Sequence, residues 1–368
     1  MKPIGLYIHI PFCKGKCPYC DFYSVTPHGS VIEDYTAEVC RRLSAETRIF
    51  DTVYFGGGTP SLLGAENICR ILGSVNAADG CEMTLECNPS DTGGRDSNFD
   101  FKAVADAGID RISMGLQSSS DSERRFLGRR AGADDAERAV ERANAAGIDN
   151  ISLDLMLGLA GQSTESVGRS IEFCRRLGAK HLSAYLLKLE QGTPLYTRRN
   201  ELHLPDEDET AELYLFTVSE AAKNGFLQYE ISNFSLPGYE SRHNLKYWRC
   251  EEYLGVGAAA HSFVGGKRFY NERSIADFLE GKPPVNDGDG GDEEEFVMLA
   301  LRLTEGLSGE RFAERYGHML PREFDKKAAF FASKGLMTVG GERYNLTQQG
   351  FLLSNSIIFE LIDTLEAE

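Results

Sequence analysis

A chain of 368 residues with 42% apolar side chains can build one large α/β barrel, alone or with a smaller companion domain. Its net charge of −17 excludes nonspecific nucleic-acid binding and docking on an anionic membrane surface, because both need Lys and Arg to neutralise phosphate. No apolar run approaches the roughly 18 residues of a membrane span, and no basic-then-apolar leader precedes the first strand-like segment, so a cytoplasmic protein not integral to a membrane is expected.

Ile4–Ile10 reads as a strand, and Cys13, Cys17 and Cys20 follow it at C-x3-C-x2-C spacing. Three thiolates on a tight loop suit a cubane iron–sulfur cluster with one iron left open, to which a small molecule can bind. A structural zinc site normally takes four ligands as two close pairs, and no second pair exists here. Three unrelated core cysteines are the blander alternative, but they do not explain the compact spacing beside Lys, Gly and Pro. The other six cysteines, Cys40, Cys69, Cys81, Cys87, Cys174 and Cys250, are scattered as free thiols of a reducing compartment would be, so disulfides are not expected.

Further strand-like runs are Thr52–Phe55, Met83–Leu85, Ile112–Leu116, Ile151–Leu155 and His181–Leu187. Amphipathic segments near 31–48, 65–75, 99–107, 134–146 and 164–177 lie between them. This alternation predicts parallel βαβ units and a partial (β/α)6 barrel; a doubly wound sheet shares the local pattern. Functional residue types recur at the strand ends, where barrels place their chemistry. Gly56-Gly57-Gly58-Thr59-Pro60 follows the second run and Glu86-Cys87-Asn88-Pro89 ends the third. The fourth starts at Arg111 and leads into Gln117-Ser118, and the fifth carries Asp154 and Met156 before Gly158-Leu159-Ala160-Gly161-Gln162. Glycines there allow close backbone approach to a ligand. Glu86, Arg129 and Asp154 individually read as solvated or capping charges, the commoner fate of such residues.

Downstream, Arg242-His243-Asn244-Leu245-Lys246-Tyr247-Trp248 contains the only tryptophan. A neutral His beside aromatic rings can ligate heme iron; on residue types alone it reads as a satisfied histidine in an aromatic core. The acidic, glycine-rich run 287–295 reads as an exposed flexible linker. Helices are predicted at 294–302, 308–316 and 322–334, then a hairpin of Leu336–Val339 and Arg343–Leu346, then one helix from Thr347 to about Leu365. These suggest a small winged-helix-like α+β domain. Residues 293–368 hold 8 Lys or Arg against 13 Asp or Glu, so DNA binding is not expected of it; a lid or partner-docking module is. The expected division is a barrel over 1–235, a motif-bearing extension over 236–286 and a C-terminal domain over 287–368.

The cysteine motif resembles the signature of the radical S-adenosylmethionine (SAM) superfamily, in which the open iron is chelated by the amino and carboxylate groups of SAM. The Tyr7-to-Cys13 opening, the GGGTP loop, Arg111–Gln117 and Asp154-Leu155-Met156 resemble the branch holding the oxygen-independent coproporphyrinogen III oxidases and the HemW heme chaperones. The oxidases carry a further cysteine where this chain has Phe22, and the chaperones an H-N-x-x-Y-W motif matched by His243, Asn244, Tyr247 and Trp248. Both favour the chaperones. The resemblance implies Cys13, Cys17 and Cys20 as ligands of a [4Fe–4S] cluster. Tyr7, Gly57, Gly58, Thr59, Glu86, Gln117, Arg129 and Asp154 are implied as SAM contacts, and His243, Tyr247 and Trp248 as heme contacts. The implied role is binding heme and delivering it to hemoproteins such as respiratory enzymes at the membrane. Radical decarboxylation of coproporphyrinogen III is the alternative, and whether the chain is an enzyme, or a homodimer, is left open. Two departures stand out: Ala160 where relatives have proline, and Ala131 where they often have histidine.

Overall fold

The computed structural model describes residues 2–365. Six parallel strands, β1 (Ile4–Ile10), β2 (Phe50–Gly57), β3 (Ala77–Cys87), β4 (Arg111–Gln117), β5 (Asn150–Leu157) and β6 (His181–Leu186), pair in sequence order. Helices connect them, including Val31–Ser44, Gly64–Leu72, Ala133–Ala145 and Thr164–Arg176. The physical reason is a strict alternation. Ile4, Leu6, Ile8, Val53, Phe55, Leu85, Ile112, Met114, Ile151 and Leu153 are fully or nearly fully buried and form one contiguous core with apolar residues of the helices. Each such burial contributes about 1.5–3 kcal/mol. The intervening residues, Tyr7, Tyr54, Glu86, Ser113, Asp154 and Ser183, occupy the opposite faces and are polar. The barrel interior is therefore hydrophilic, unlike the branched-apolar filling of a closed eight-stranded barrel.

The sheet stays open. Beyond β6 it continues with antiparallel β8 (Asn233–Ser235) and then β7 (Leu227–Glu230). On the other side β1 pairs in parallel with β9 (Tyr253–Val256), followed by antiparallel β10 (His261–Val264), β11 (Lys267–Tyr270) and β12 (Val285–Asp289). A further helix, Glu207–Lys223, which the sequence does not announce, follows β6; Asp206 caps it by accepting the Glu209 N–H at 2.9 Å.

Two expectations are corrected. The acidic run 287–295 is not a linker: β12 pairs with β11, Lys267 pairs with Asp289 and Arg268 with Glu295, and Asp292 caps the helix Glu293–Ala300 at 2.8 Å. Acidic residues in that first turn complement the helix N-terminus. The last predicted helix is two, Gln348–Leu352 and Ser354–Ile362, broken at Leu353. Between these ends lie β13 (Leu307–Ser308), β14 (Met337–Gly340) and β15 (Arg343–Leu346), a small sheet ordered β13-β15-β14 with helices Gly309–Tyr316 and Arg322–Ser333. This is the predicted winged-helix-like unit.

Candidate functional site

A cavity of about 490 Å³ opens at the C-terminal ends of the parallel strands. Cys13, Cys17 and Cys20 line it, as do Gly57, Gly58, Thr59, Glu86, Gln117, Arg129 and Asp154. Tyr7, His243, Tyr247 and Trp248 do not line it. Tyr54, Ser113, Ser183, Tyr185 and Asn244 do, and the sequence reading missed them. The signal for four of these five is the period-2 alternation, which puts them on the same strand faces as Glu86 and Asp154.

The cysteine loop is held from both sides. Cys13 N–H donates to Val25 O at 3.0 Å and Cys20 N–H to Cys17 O at 3.1 Å. Gly58 and Thr59 donate backbone N–H groups to Ile10 O and Phe12 O at 2.9 and 2.8 Å, stitching the GGGTP turn under the loop. A Cβ at Gly58 would lie 2.7 Å from Phe12 O, and one at Gly57 (φ +110°) 2.6 Å from the His9 ring. The glycines are thus demanded by close approach of the chain to itself as well as by any ligand. Thr59 Oγ1 lies 3.5 Å from Cys13 Sγ, and Arg129 Nη1 donates to Cys17 Sγ at 3.8 Å. Among the described residues no three His, Cys, Asp or Glu side chains converge to hold a single ion. A cubane needs no such convergence, because each thiolate binds a different iron. Three thiols facing one cavity beside a cationic guanidinium fit an anionic thiolate cluster with an open iron.

The carboxylates across the cavity are tuned by burial. Glu86 accepts from Tyr54 Oη at 2.8 Å and from the Gly57 N–H, but withdrawal from water dominates and pushes its carboxyl up to about 7. Asp154, held by Ser183 and by Ser113 Oγ at 3.3 Å, is raised to about 6, again by burial first. Since the folded value of Glu86 lies above the ordinary carboxyl value of 4.5, the folded protein holds the extra proton between pH 4.5 and 7. Stability therefore falls as pH rises through that window. Glu86→Gln is expected to be the more stable protein by about 2 kcal/mol at pH 8, after discounting for cavity water. The difference should shrink to nothing near pH 4.5. Melting curves of both proteins across pH check this, and a constant difference at all pH values would refute it.

Gln117 reaches the cavity because the β4–β5 register slips between Gly115 and Gln117, and Gln117 itself sits at φ +68°. Arg129 Nη2 donates to Gly115 O, and a Cβ on Gly115 would lie 2.2 Å from that nitrogen. Gly115→Ala should displace Arg129; on the resemblance's assignment of Arg129 to SAM, this lowers SAM affinity at least tenfold while leaving iron content unchanged, and calorimetric titration and iron analysis separate the two. The loop lacking the usual proline is closed by Gln162. Its Oε1 accepts the Gly158 N–H at 2.8 Å, and its Nε2 donates to Met156 O at 2.9 Å and Glu123 at 3.1 Å.

The H-N-x-x-Y-W segment forms the helix Arg242–Trp248, which packs on β2 at the opposite, N-terminal end of the strands from the cysteine loop. Glu82 accepts the Arg242 and His243 N–H groups, both at 3.1 Å, satisfying the first turn. Both ring nitrogens of His243 are engaged, Nδ1 with Thr52 Oγ1 and Nε2 with Tyr247 Oη, each at 2.8 Å. The ring stacks near Tyr54 and is 1% exposed, and Trp248 donates to buried Glu230. In this arrangement His243 has no free nitrogen for iron, contrary to the heme contact that the resemblance implies. Asn244 alone of the motif lines the cavity, from below.

The family model of the radical SAM superfamily matches residues 7–174, and that of the HemN C-terminal domain residues 293–353. Heme chaperone HemW of Bacillus subtilis (strain 168) is 36% identical, covering 95% of this chain and 97% of its own. HemW of Escherichia coli (strain K12) is 34% identical, covering 97% and 98%. The solved coproporphyrinogen III oxidase HemN of Escherichia coli superposes with a TM-score of 0.82 over 98% of this chain and 90% of its own, at 19% identity, which establishes the shared fold. Six-stranded open barrel, three-cysteine loop and full-length identity agree: the chain belongs to the HemW family, in the HemN-like branch of the radical SAM superfamily.

Proposed function

We propose that this protein is a heme chaperone that binds a [4Fe–4S] cluster and SAM and passes heme to hemoproteins, respiratory enzymes among them. The observation that carries the reading is the cavity mouth. Three thiols face it, and Phe22, 64% exposed, stands where the oxidase branch has a fourth cysteine. Cys13, Cys17 and Cys20 would hold the cluster, which when bound supplies electrons to SAM. Gly57, Gly58 and Thr59 would offer backbone and hydroxyl groups to SAM, and Glu86, Gln117, Asp154 and Arg129 would bind its polar ends. Tyr7 donates to or accepts from His9 Nδ1 at 3.0 Å and would act from behind that layer. The division at 1–235, 236–286 and 287–368 and a cytoplasmic location belong to the same proposal. No helix among the described residues is long and apolar enough to cross a membrane.

The test is an anaerobic heme titration of cluster-reconstituted protein followed in the Soret band, beside an assay with SAM, a reductant and coproporphyrinogen III. Saturable heme binding without protoporphyrinogen IX supports the chaperone. Multiple turnovers to protoporphyrinogen IX would establish the oxidase instead.

A further inference from the structure

The cavity has two chemically distinct arcs. Along β2–β5 it is polar: Glu86, Gln117, Arg129 and Asp154 stand there, with the proposed SAM contacts. Next to Asp154, the end of β6 together with Phe22 of the cysteine loop presents apolar side chains. Phe22, Tyr185 and Leu186 are 64%, 43% and 44% exposed, and Met156 and Leu187 line the same mouth. Tyr185 sits beside Met156 in the β5–β6 register on the inward face, and Leu186 and Leu187 join them at the mouth where the strand ends. Exposed apolar groups gathered at a cavity, not spread singly over a surface, mark a binding site.

The mouth carries both signs of charge, Lys16 and Lys188 against Asp21 and Glu190, with Lys188 paired to Glu190 at 2.7 Å. Charge therefore does not select its ligand; flat apolar area does. β6 is the last parallel strand, and its end, Tyr185 and Leu186, lies beyond the residues that pair with antiparallel β8 (His181–Ser183). Residues of the H-N-x-x-Y-W helix, in contrast, offer no ring nitrogen and no apolar opening on the cavity. We propose that heme is held at the cavity mouth, its macrocycle against Phe22, Tyr185 and Leu186, and not at His243. This rests on the heme reading above.

The experiment is the same anaerobic titration with hemin reduced in situ, on the full-length cluster-bound protein, comparing wild type, Phe22→Ser, Leu186→Ser and the double variant. Both side chains are exposed, so the variants should fold and keep wild-type iron content and SAM affinity. The expected result is a weakening of at least tenfold in the double variant, with SAM binding unchanged. Saturable wild-type binding that the double variant retains in full would overturn this site and leave the chaperone standing. Absence of saturable binding in wild type would remove the chaperone reading itself, and the two failures are thereby distinct.

Discussion

Cys17→Ala is expected to purify nearly colourless under anaerobic conditions, with iron and sulfide well below those of the wild type after identical reconstitution. The cubane takes one thiolate on each of three irons, and two remaining ligands cannot hold it against exchange with solvent. Cys17 is the central thiol and the one that Arg129 touches, at 3.8 Å, so its loss also leaves that guanidinium without its partner on the loop. The fold should survive. The loop is tied by backbone hydrogen bonds at Cys13, Cys20 and Val25 and by Leu195 N–H to Pro18 O at 2.8 Å, none of which uses a sulfur. Iron analysis with the visible spectrum checks the cluster, and circular dichroism checks the fold. Wild-type iron content in the variant would refute the ligand assignment.

What the sequence made legible follows the physics of each element. The six parallel strands were readable because their core-facing residues, such as Ile4, Leu6 and Ile8 or Ile112 and Met114, are apolar and their lengths lie between clear helical stretches. β7 to β11 are three or four residues each and acquire their conformation from the sheet edges they extend, so no local period announces them. Composition alone cannot reveal the order of the run 287–295, because its acidic residues meet Lys267 and Arg268 from earlier in the chain and Asp292 caps the helix that starts at Glu293.

The cluster loop and several strand-end groups are legible from spacing and position, and the structure gathers Cys13, Cys17, Cys20 and every implied SAM contact except Tyr7 on one cavity. Tyr54 and Tyr185 escaped because an aromatic residue in a strand reads as core; only the alternation with Val53, Phe55 and Ala184 shows that they face inward. His243 was the hard case. Residue chemistry favoured a satisfied core histidine and resemblance favoured a heme contact, and the geometry follows the residue chemistry.

His243→Ala is accordingly expected to destabilise the protein by about 3 kcal/mol, a fall of several degrees in melting temperature. The imidazole is fully buried, and its removal leaves a void next to Tyr54 and strands two hydroxyls, those of Thr52 and Tyr247, in a dry interior. Burial also lowers its pKa from 6.5 to about 3, so it stays neutral in the folded state while the unfolded chain takes up a proton. A group depressed in this way contributes stability that is present above about pH 6.5 and is lost as pH falls toward 3. The variant should therefore lose less stability on acidification than the wild type, and the gap between the two melting curves should narrow from pH 7 to pH 5. Heme affinity, measured on the variant well below its melting temperature, should stay within about twofold of wild type, because the macrocycle rests at the other end of the barrel. A variant with wild-type melting behaviour and abolished heme binding would show the opposite: an imidazole that is dispensable for the fold and released from Thr52 and Tyr247 to meet the iron.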